Sequence, residues 1–400
     1  MKKLITFISA VFILCTTLAA KNFFSDRIFE VKMGADFGIS NNLISCKDVL
    51  KKDLVIDLHK LADECPKTGL DLRANAEPSL SINLNILGFS FGVSSGLDFY
   101  EKLVIGKDLF DFLGYGNSVG QTLDVNFKDT TDVFAYTQAS VGFNVGKLKI
   151  KAEPAVFVPV LSICDSGASL TVLNNSDGKL KVVMNTNMDV YSSVPLESKD
   201  GEIGFESGAN ILAGSYGFDM GGSVKFALTD TFDIEGTCRI PVIPGHLKNK
   251  SVVNGGFTYN MNFTDFEKSE KTEKATTVTN QSAFYALNRP LKVNLYVDKG
   301  LLGSLFTARG GAGLGIQRPF CYGAYVYPEY YAGLTLNLIH IFKIGLSTEY
   351  TNQLFKHQLG TTVNLRIVQL DLGLSSQSSS FKKSFEVSGF GAYAFVTIGF

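Results

Sequence analysis

The sequence has no tryptophan, only four histidines and ten prolines, and net charge −1. Beyond its first residues it also lacks any apolar run of the ~20 residues that a membrane helix needs. Without tryptophan, an aromatic girdle at a membrane interface falls to the 15 tyrosines and part of the 32 phenylalanines. His59, His246, His340 and His357 fall at no metal-ligand spacing and no cysteine pair is a CxxC, so no metal is expected. The absence of a basic excess argues against nucleic acid as a partner. Gly114-Tyr115-Gly116 lacks the Lys-Ser/Thr of a phosphate loop and reads as a turn. Gly88-Phe89-Ser90-Phe91-Gly92 matches a nucleophile-elbow pattern, but it opens an alternating strand where that motif requires a strand-to-helix turn. With no short-range Ser/His/Asp constellation either, no catalytic residue, no enzyme activity and no cofactor are expected.

What is present is a chain that is apolar on average and never continuously so. Hydrophobic residues make up 45% and charged ones 19%, with mean hydropathy +0.15. Strands whose faces meet lipid and lumen dilute one another in this way. Glycine is abundant at 39, which suits strands whose backbones approach closely. Met1-Lys2-Lys3 followed by Leu4 to Leu14 has the basic start and apolar stretch of a secretory leader, with cleavage expected near Ala19 or Ala20. Residues 1–20 are therefore expected to be a signal peptide and 21–400 the mature domain. Cys46, Cys65, Cys164, Cys238 and Cys321 follow the leader, an odd number that leaves at least one unpaired. Cys46 and Cys65 invite pairing. If Lys47 to Glu64 formed one straight helix, however, its ends would lie roughly 27 Å apart, so either that helix is broken or the bond is absent.

The end of the chain gives the strongest strand signal. Phe390, Ala392, Ala394, Val396, Ile398 and Phe400 alternate with Gly389, Gly391, Tyr393, Phe395, Thr397 and Gly399. An apolar outer face, a small or semi-polar inner face and a final aromatic are the marks of the last strand of an outer-membrane barrel, where barrel-assembly machinery is the expected partner. The same alternation recurs over 29–40, 70–86, 89–99, 133–145, 148–160, 218–228, 232–242, 291–297, 305–316, 324–338, 342–350, 357–366 and 369–375. The expected fold is all-β, a transmembrane antiparallel β-barrel of about fourteen strands with short helices in outer loops or plug. With a periplasmic N-terminus the short turns fall on the inner side. The long connections 41–69, 101–132, 161–215 and 243–288 then fall outside, as in bacterial outer-membrane barrels. Segments 180–194 and 253–263 are read as hairpin extensions within those loops, and as true crossings they would raise the count to sixteen; 264–280, rich in Glu and Lys, is read as a solvated loop.

Two outer loops have apolar residues at helical spacing: Leu50, Leu54, Leu58 and Leu61 in one, and Ile105, Leu109, Phe110, Phe112 and Leu113 in the other. Such helices pack on each other as a lid or hold something apolar. Arg73, Arg239 and Arg366 are expected to face inward with other charges of both signs. Their roles there are to fill the lumen as ion pairs or to hold a ligand carboxylate.

With about fourteen strands, a Phe-ending last strand and apolar helices in outer loops, the chain resembles the FadL-like outer-membrane transporters of long-chain fatty acids, most of all the divergent spirochaete forms. Local likeness lies in LVIDLHKLAD (54–63) and DLFDFLGYGN (108–117). The resemblance implies a channel in the outer membrane, surrounded by its lipid, that takes up hydrophobic small molecules. It also implies a capture groove formed here by Leu54, Leu58, Leu61, Leu109, Phe110, Phe112 and Leu113. The Asn-Pro-Ala-bearing N-terminal plug of that family has no counterpart near the start of this chain. General diffusion porin and surface-exposed adhesin or binding barrel are the alternatives.

Overall fold

The structure is a computed structural model that describes residues 27–45, 56–176, 179–199, 202–206, 210, 212, 214–262, 269–302, 305–338 and 341–400. The expected leader 1–20, Cys46, Leu50, Leu54 and His340 lie outside the described residues. The first strands are β1 (Phe29–Asn41), β2 (Leu70–Ile86), β3 (Phe89–Ile105), β4 (Thr122–Val145) and β5 (Leu148–Asn174). Next come β6 (Lys179–Ser192), β7 (Leu196–Lys199), β8 (Glu202–Phe205), β9 (Gly217–Thr229), β10 (Phe232–Ile243), β11 (Gly245–Asn262) and β12 (Glu270–Leu287). The last are β13 (Leu291–Leu301), β14 (Phe306–Gln317), β15 (Tyr325–Leu338), β16 (Phe342–Thr351), β17 (Leu354–Asn364), β18 (Val368–Ser378) and β19 (Gly389–Gly399). Short helices α1 (Leu58–Glu64), α2 (Lys107–Tyr115) and α3 (Phe381–Phe385) lie in outer connections.

Seventeen of these strands form one antiparallel sheet, which closes on itself because β1 pairs with both β2 and β19. The closed circuit runs β1-β2-β3-β4-β5-β9-β10-β13-β14-β15-β16-β17-β18-β19. An expectation of about fourteen strands undercounts the sheet, because β6, β11 and β12 also join it. They do so by a fork in β5. Leu148–Phe157 pairs with β9, whereas Leu161–Asn174 pairs with β6. From β6 the ladder continues to β11 and then β12, raising a blade beyond the ring. Phe134, Tyr136, Phe157, Leu247 and Leu287 form a buried apolar cluster that fills the fork.

The segment 264–280 is corrected by this ladder: from Glu270 onward it is a strand. Both of its faces meet water, so no apolar alternation marks it, and its order comes from the hydrogen bonds to β11. The strands also run well past the expected ends: β5 has 27 residues, about 90 Å at the usual rise and more than twice the ~9–11 residues of a tilted bilayer crossing.

The outer face of the ring is a belt of exposed apolar side chains. Ile82, Leu84, Phe91, Val141, Phe143, Val224, Phe226, Leu295, Leu314, Leu334, Leu346, Leu359, Leu372, Phe390 and Ile398 all contribute. In a water-soluble fold a patch this size is a liability, whereas around a closed sheet it is the lipid-facing surface of a membrane-spanning barrel. The inward face supplies the polar partners, and its glycines let the walls meet. A Cβ on Gly34 (φ +155°) would lie 1.8 Å from the Ala394 carbonyl oxygen, so the seam between β1 and β19 depends on that glycine.

Candidate functional site: the barrel mouth and lumen

Two connections between strands turn inward and cross the mouth. Asn288-Arg289-Pro290 links β12 to β13, and residues 318–324 link β14 to β15. Arg289 is almost wholly buried. Its Nε donates to Asp98 Oδ2 at 2.9 Å and its Nη1 to Asp219 Oδ2 at 3.0 Å, joining β3 to β9, while its guanidinium lies 4.0 Å from the Tyr136 ring centre. Arg239 adds a longer contact of 3.8 Å to Asp98 and donates from Nε to the Pro290 carbonyl at 2.9 Å.

Arg318 makes the second crossing. Its Nε and Nη2 hold both oxygens of Asp132 on β4 at 2.8 Å each, and Nη2 also donates to the Ile163 carbonyl on β5 at 2.6 Å. Ser162 and Gln317 complete the shell around Asp132. Bidentate geometry and burial make this the strongest kind of charge-assisted contact. The loop that delivers it takes left-handed backbone at Arg318 (φ 49°), Phe320 (φ 61°) and Gly323 (φ 76°), a conformation that non-glycine residues hold only when their surroundings enforce it. Asn288 ties the two crossings together by donating to the Pro319 carbonyl at 2.9 Å and to Cys321 Sγ at 3.7 Å.

The lumen holds a cavity of about 960 Å³ whose lining includes many charged side chains and tyrosines among small and neutral polar residues. Several of those charges are paired: Lys292 with Glu329 at 3.0 Å, Arg309 with Glu235 at 3.1 Å and Asp298 at 3.2 Å, and Lys356 with Asp36 at 2.8 Å. Mutually neutralising walls give no fixed ion selectivity.

The expected ligand residues divide between mouth, lid and turn. Arg73 faces inward, but Asp71 takes it bidentately at 2.8 Å and the Asn352 carbonyl accepts from Nη1 at 3.1 Å. Arg239 is engaged at the Asp98 crossing as described. Arg366 is a correction: strand β17 ends at Asn364, and Arg366 sits exposed in the inner turn with φ 70°, its backbone N–H bonded to Asn364 Oδ1.

In the outer loops, α1 and α2 pack on one another around Leu43, Ala62, Cys65, Leu70 and Phe110, with Leu61 and Leu109 against that core. Gly114 permits the approach, since a Cβ there would lie 2.8 Å from Ala62 Cβ. Phe110 is thus a core residue of a lid and offers no groove surface, Phe112 is half-buried, and Leu58 and Leu113 stay exposed. Ile56, Tyr115 and Val119 add to the exposed apolar surface of this region. His59 stacks on Tyr115 at 5.0 Å, and the Tyr115 hydroxyl donates to Asp63 at 2.6 Å, which raises the phenol's pKa. Burial pushes the free thiol of Cys65 up to about 11, so it stays protonated at neutral pH.

Arg289 and Arg318 are not among the residues expected from the sequence to form the site. A signal was available: they stand in Asn-Arg-Pro and Gln-Arg-Pro, the two Arg-Pro pairs of the chain, each preceded by a side-chain amide. Proline ends the preceding strand and forces its neighbour out of the ladder, freeing the arginine to reach inward.

His357 also approaches a serine, with Nε2 2.9 Å from Ser384 Oγ. Ser384 is buried and donates to the Phe381 carbonyl, so this pair anchors α3 to β17. Among the described residues no group of His, Cys, Asp and Glu has the arrangement of a metal site.

No protein-family model and no curated protein matches the chain. Solved structures similar to it include the Pseudomonas putida toluene transporter TodX, at 9% identity with 94% of this chain and 91% of that one covered and TM-score 0.48. The CymD monoaromatic hydrocarbon channel is 9% identical, with 97% and 94% covered and TM-score 0.47. A Pseudomonas aeruginosa FadL homologue is 10% identical, with 94% and 91% covered and TM-score 0.45. The likeness is one of barrel architecture.

Proposed function

We propose that the chain is a gated channel of the bacterial outer membrane that admits hydrophobic small molecules, long-chain fatty acids among them. The observation that carries the gating is the pair of buried arginine crossings. A diffusion porin keeps a continuous water path, whereas here Arg289 and Arg318 bridge opposite walls at the mouth. The hydrophobic ligand is read from the exposed apolar residues Leu58 and Leu113 on the helix pair, which stand outside the membrane belt and expose apolar surface to water. Passage then requires the segments 288–290 and 318–324 to move, exchanging their ion pairs for water. Barrel-assembly machinery, engaging the last strand that ends at Phe400, and outer-membrane lipid are the partners this reading requires.

Conductance across a planar bilayer tests the gate. The wild-type barrel is expected to be almost silent, and Arg318→Ala, which releases the Asp132 crossing, to raise ion flux at least tenfold. Steady, large conductance by the wild type would instead make it a porin. A second reading, a surface binding protein that uses the barrel as a stand, is favoured by the blade of β4, β5, β6, β11 and β12. Binding of a surface partner that survives grafting of the blade onto an unrelated barrel would support it.

A further inference from the structure

The outer edge of the blade is a strand without a ladder partner. Strand β12 bonds to β11 on one side, and among the described residues nothing pairs with its other side. Its first residues, Glu270-Lys271-Thr272-Glu273-Lys274, are exposed and stand at the tip farthest from the membrane, since Leu287 at its other end pairs with Gly245 beside the fork. An open edge normally invites any extended chain, and charged side chains normally deter it. Here the order of the charges does more than deter.

Laid antiparallel on a second copy about a dyad through Thr272, the strand places Glu270 opposite Lys274 and Lys271 opposite Glu273 in both directions. All four cross-strand pairs are of opposite sign, and threonine meets threonine at the centre. Within one strand Lys271 and Glu273 already share a face and an ion pair of 2.6 Å, so the copy would extend an existing row of alternating charge.

Geometry then decides where the partner sits. Strand β12 is aligned through β11 and β6 with β5, whose first half crosses the membrane. The dyad of an antiparallel strand pair lies across the strands, and it therefore points the second barrel the opposite way. Two copies in one membrane cannot meet so, but copies in facing membranes can. We infer that the edge of β12 is a homophilic contact in which residues 270–274 of chains on two apposed membranes pair tip to tip. This contact is independent of what the lumen carries.

The full chain, refolded into phosphatidylcholine vesicles labelled with either a donor or an acceptor dye, tests it. Energy transfer reporting vesicle tethering is expected for the wild type and is expected to fall at least tenfold when salt is raised to 1 M, where charges are screened beyond about 3 Å. Lys271→Glu with Lys274→Glu, and separately Glu270→Lys with Glu273→Lys, are each expected to abolish tethering among their own vesicles. Mixing the two variants is expected to restore it, because every cross-strand pair is again of opposite sign. The exposed positions leave the barrel intact, which an unchanged sheet spectrum checks. Dispersed wild-type vesicles, acidic-variant vesicles that tether like the wild type, or a mixture that stays dispersed would each overturn the assignment.

Discussion

Replacing Arg289 with alanine is expected to destabilise the folded barrel by about 3–5 kcal/mol, the usual cost of removing one partner from a buried ionic group. The change strips Asp98 and Asp219 of their shared cation, leaving two carboxylates 1–2% exposed and facing a cavity. Heat-modifiable migration and the urea midpoint in detergent both report it, as a lower transition temperature and a lower midpoint. The pair Lys271–Glu273, exposed at the blade tip, is the internal control, and Lys271→Ala is expected to leave both readings unchanged. A triple variant carrying Arg289→Met with Asp98→Asn and Asp219→Asn should recover part of the loss, because the most deeply buried ions leave together and only the partly exposed Arg239 loses its longer contact to Asp98. Equal stability of Arg289→Ala and wild type would mean that the mouth is wet.

The second large effect lies at the closing seam. Gly34→Val is expected to prevent a closed barrel from forming. The new side chain would enter the Ala394 carbonyl and the Phe395 backbone, atoms that cannot give way without breaking the ladder between β1 and β19. On an unheated gel the variant should run only at the position of the unfolded chain. Gly310→Ala, a site with nothing within 4 Å of the added carbon, should run as the wild type. A compact, heat-modifiable Gly34→Val band would show that the seam pairs in another register.

The parts of the fold visible in the sequence are those where the two faces of a strand meet different solvents. Strand β19 has lipid outside and packed Tyr393, Phe395 and Thr397 inside, so its period is unmistakable. Strand β12 has water on both sides, which removes the period and leaves only a ladder that no local pattern encodes. Arg366 marks a subtler limit. Alternation of residue types continues through Asn364-Leu365-Arg366, while the Asn364 side chain takes the Arg366 backbone N–H and ends the strand two residues early. Helices α1 and α2 fall where the sequence places Leu58 and Leu61, and Leu109, Phe110, Phe112 and Leu113, but which residues turn inward depends on Gly114, whose close contact with Ala62 brings Phe110 into the core and leaves Leu58 and Leu113 outside. The mouth was hidden for a different reason. Arg289 finds its partners 191 and 70 residues away, and Arg318 finds Asp132 at 186, separations over which spacing carries no information.

Titration of the refolded barrel with a long-chain fatty acid, in a detergent that does not compete for acyl chains, tests the proposed function most directly, with Leu58→Asp plus Leu113→Asp alongside. Both side chains are exposed, so the variant should keep its sheet spectrum. The account predicts saturable binding by the wild type that weakens at least tenfold in the variant. A well-folded wild type that binds no fatty acid, or a variant that binds as tightly, would contradict it.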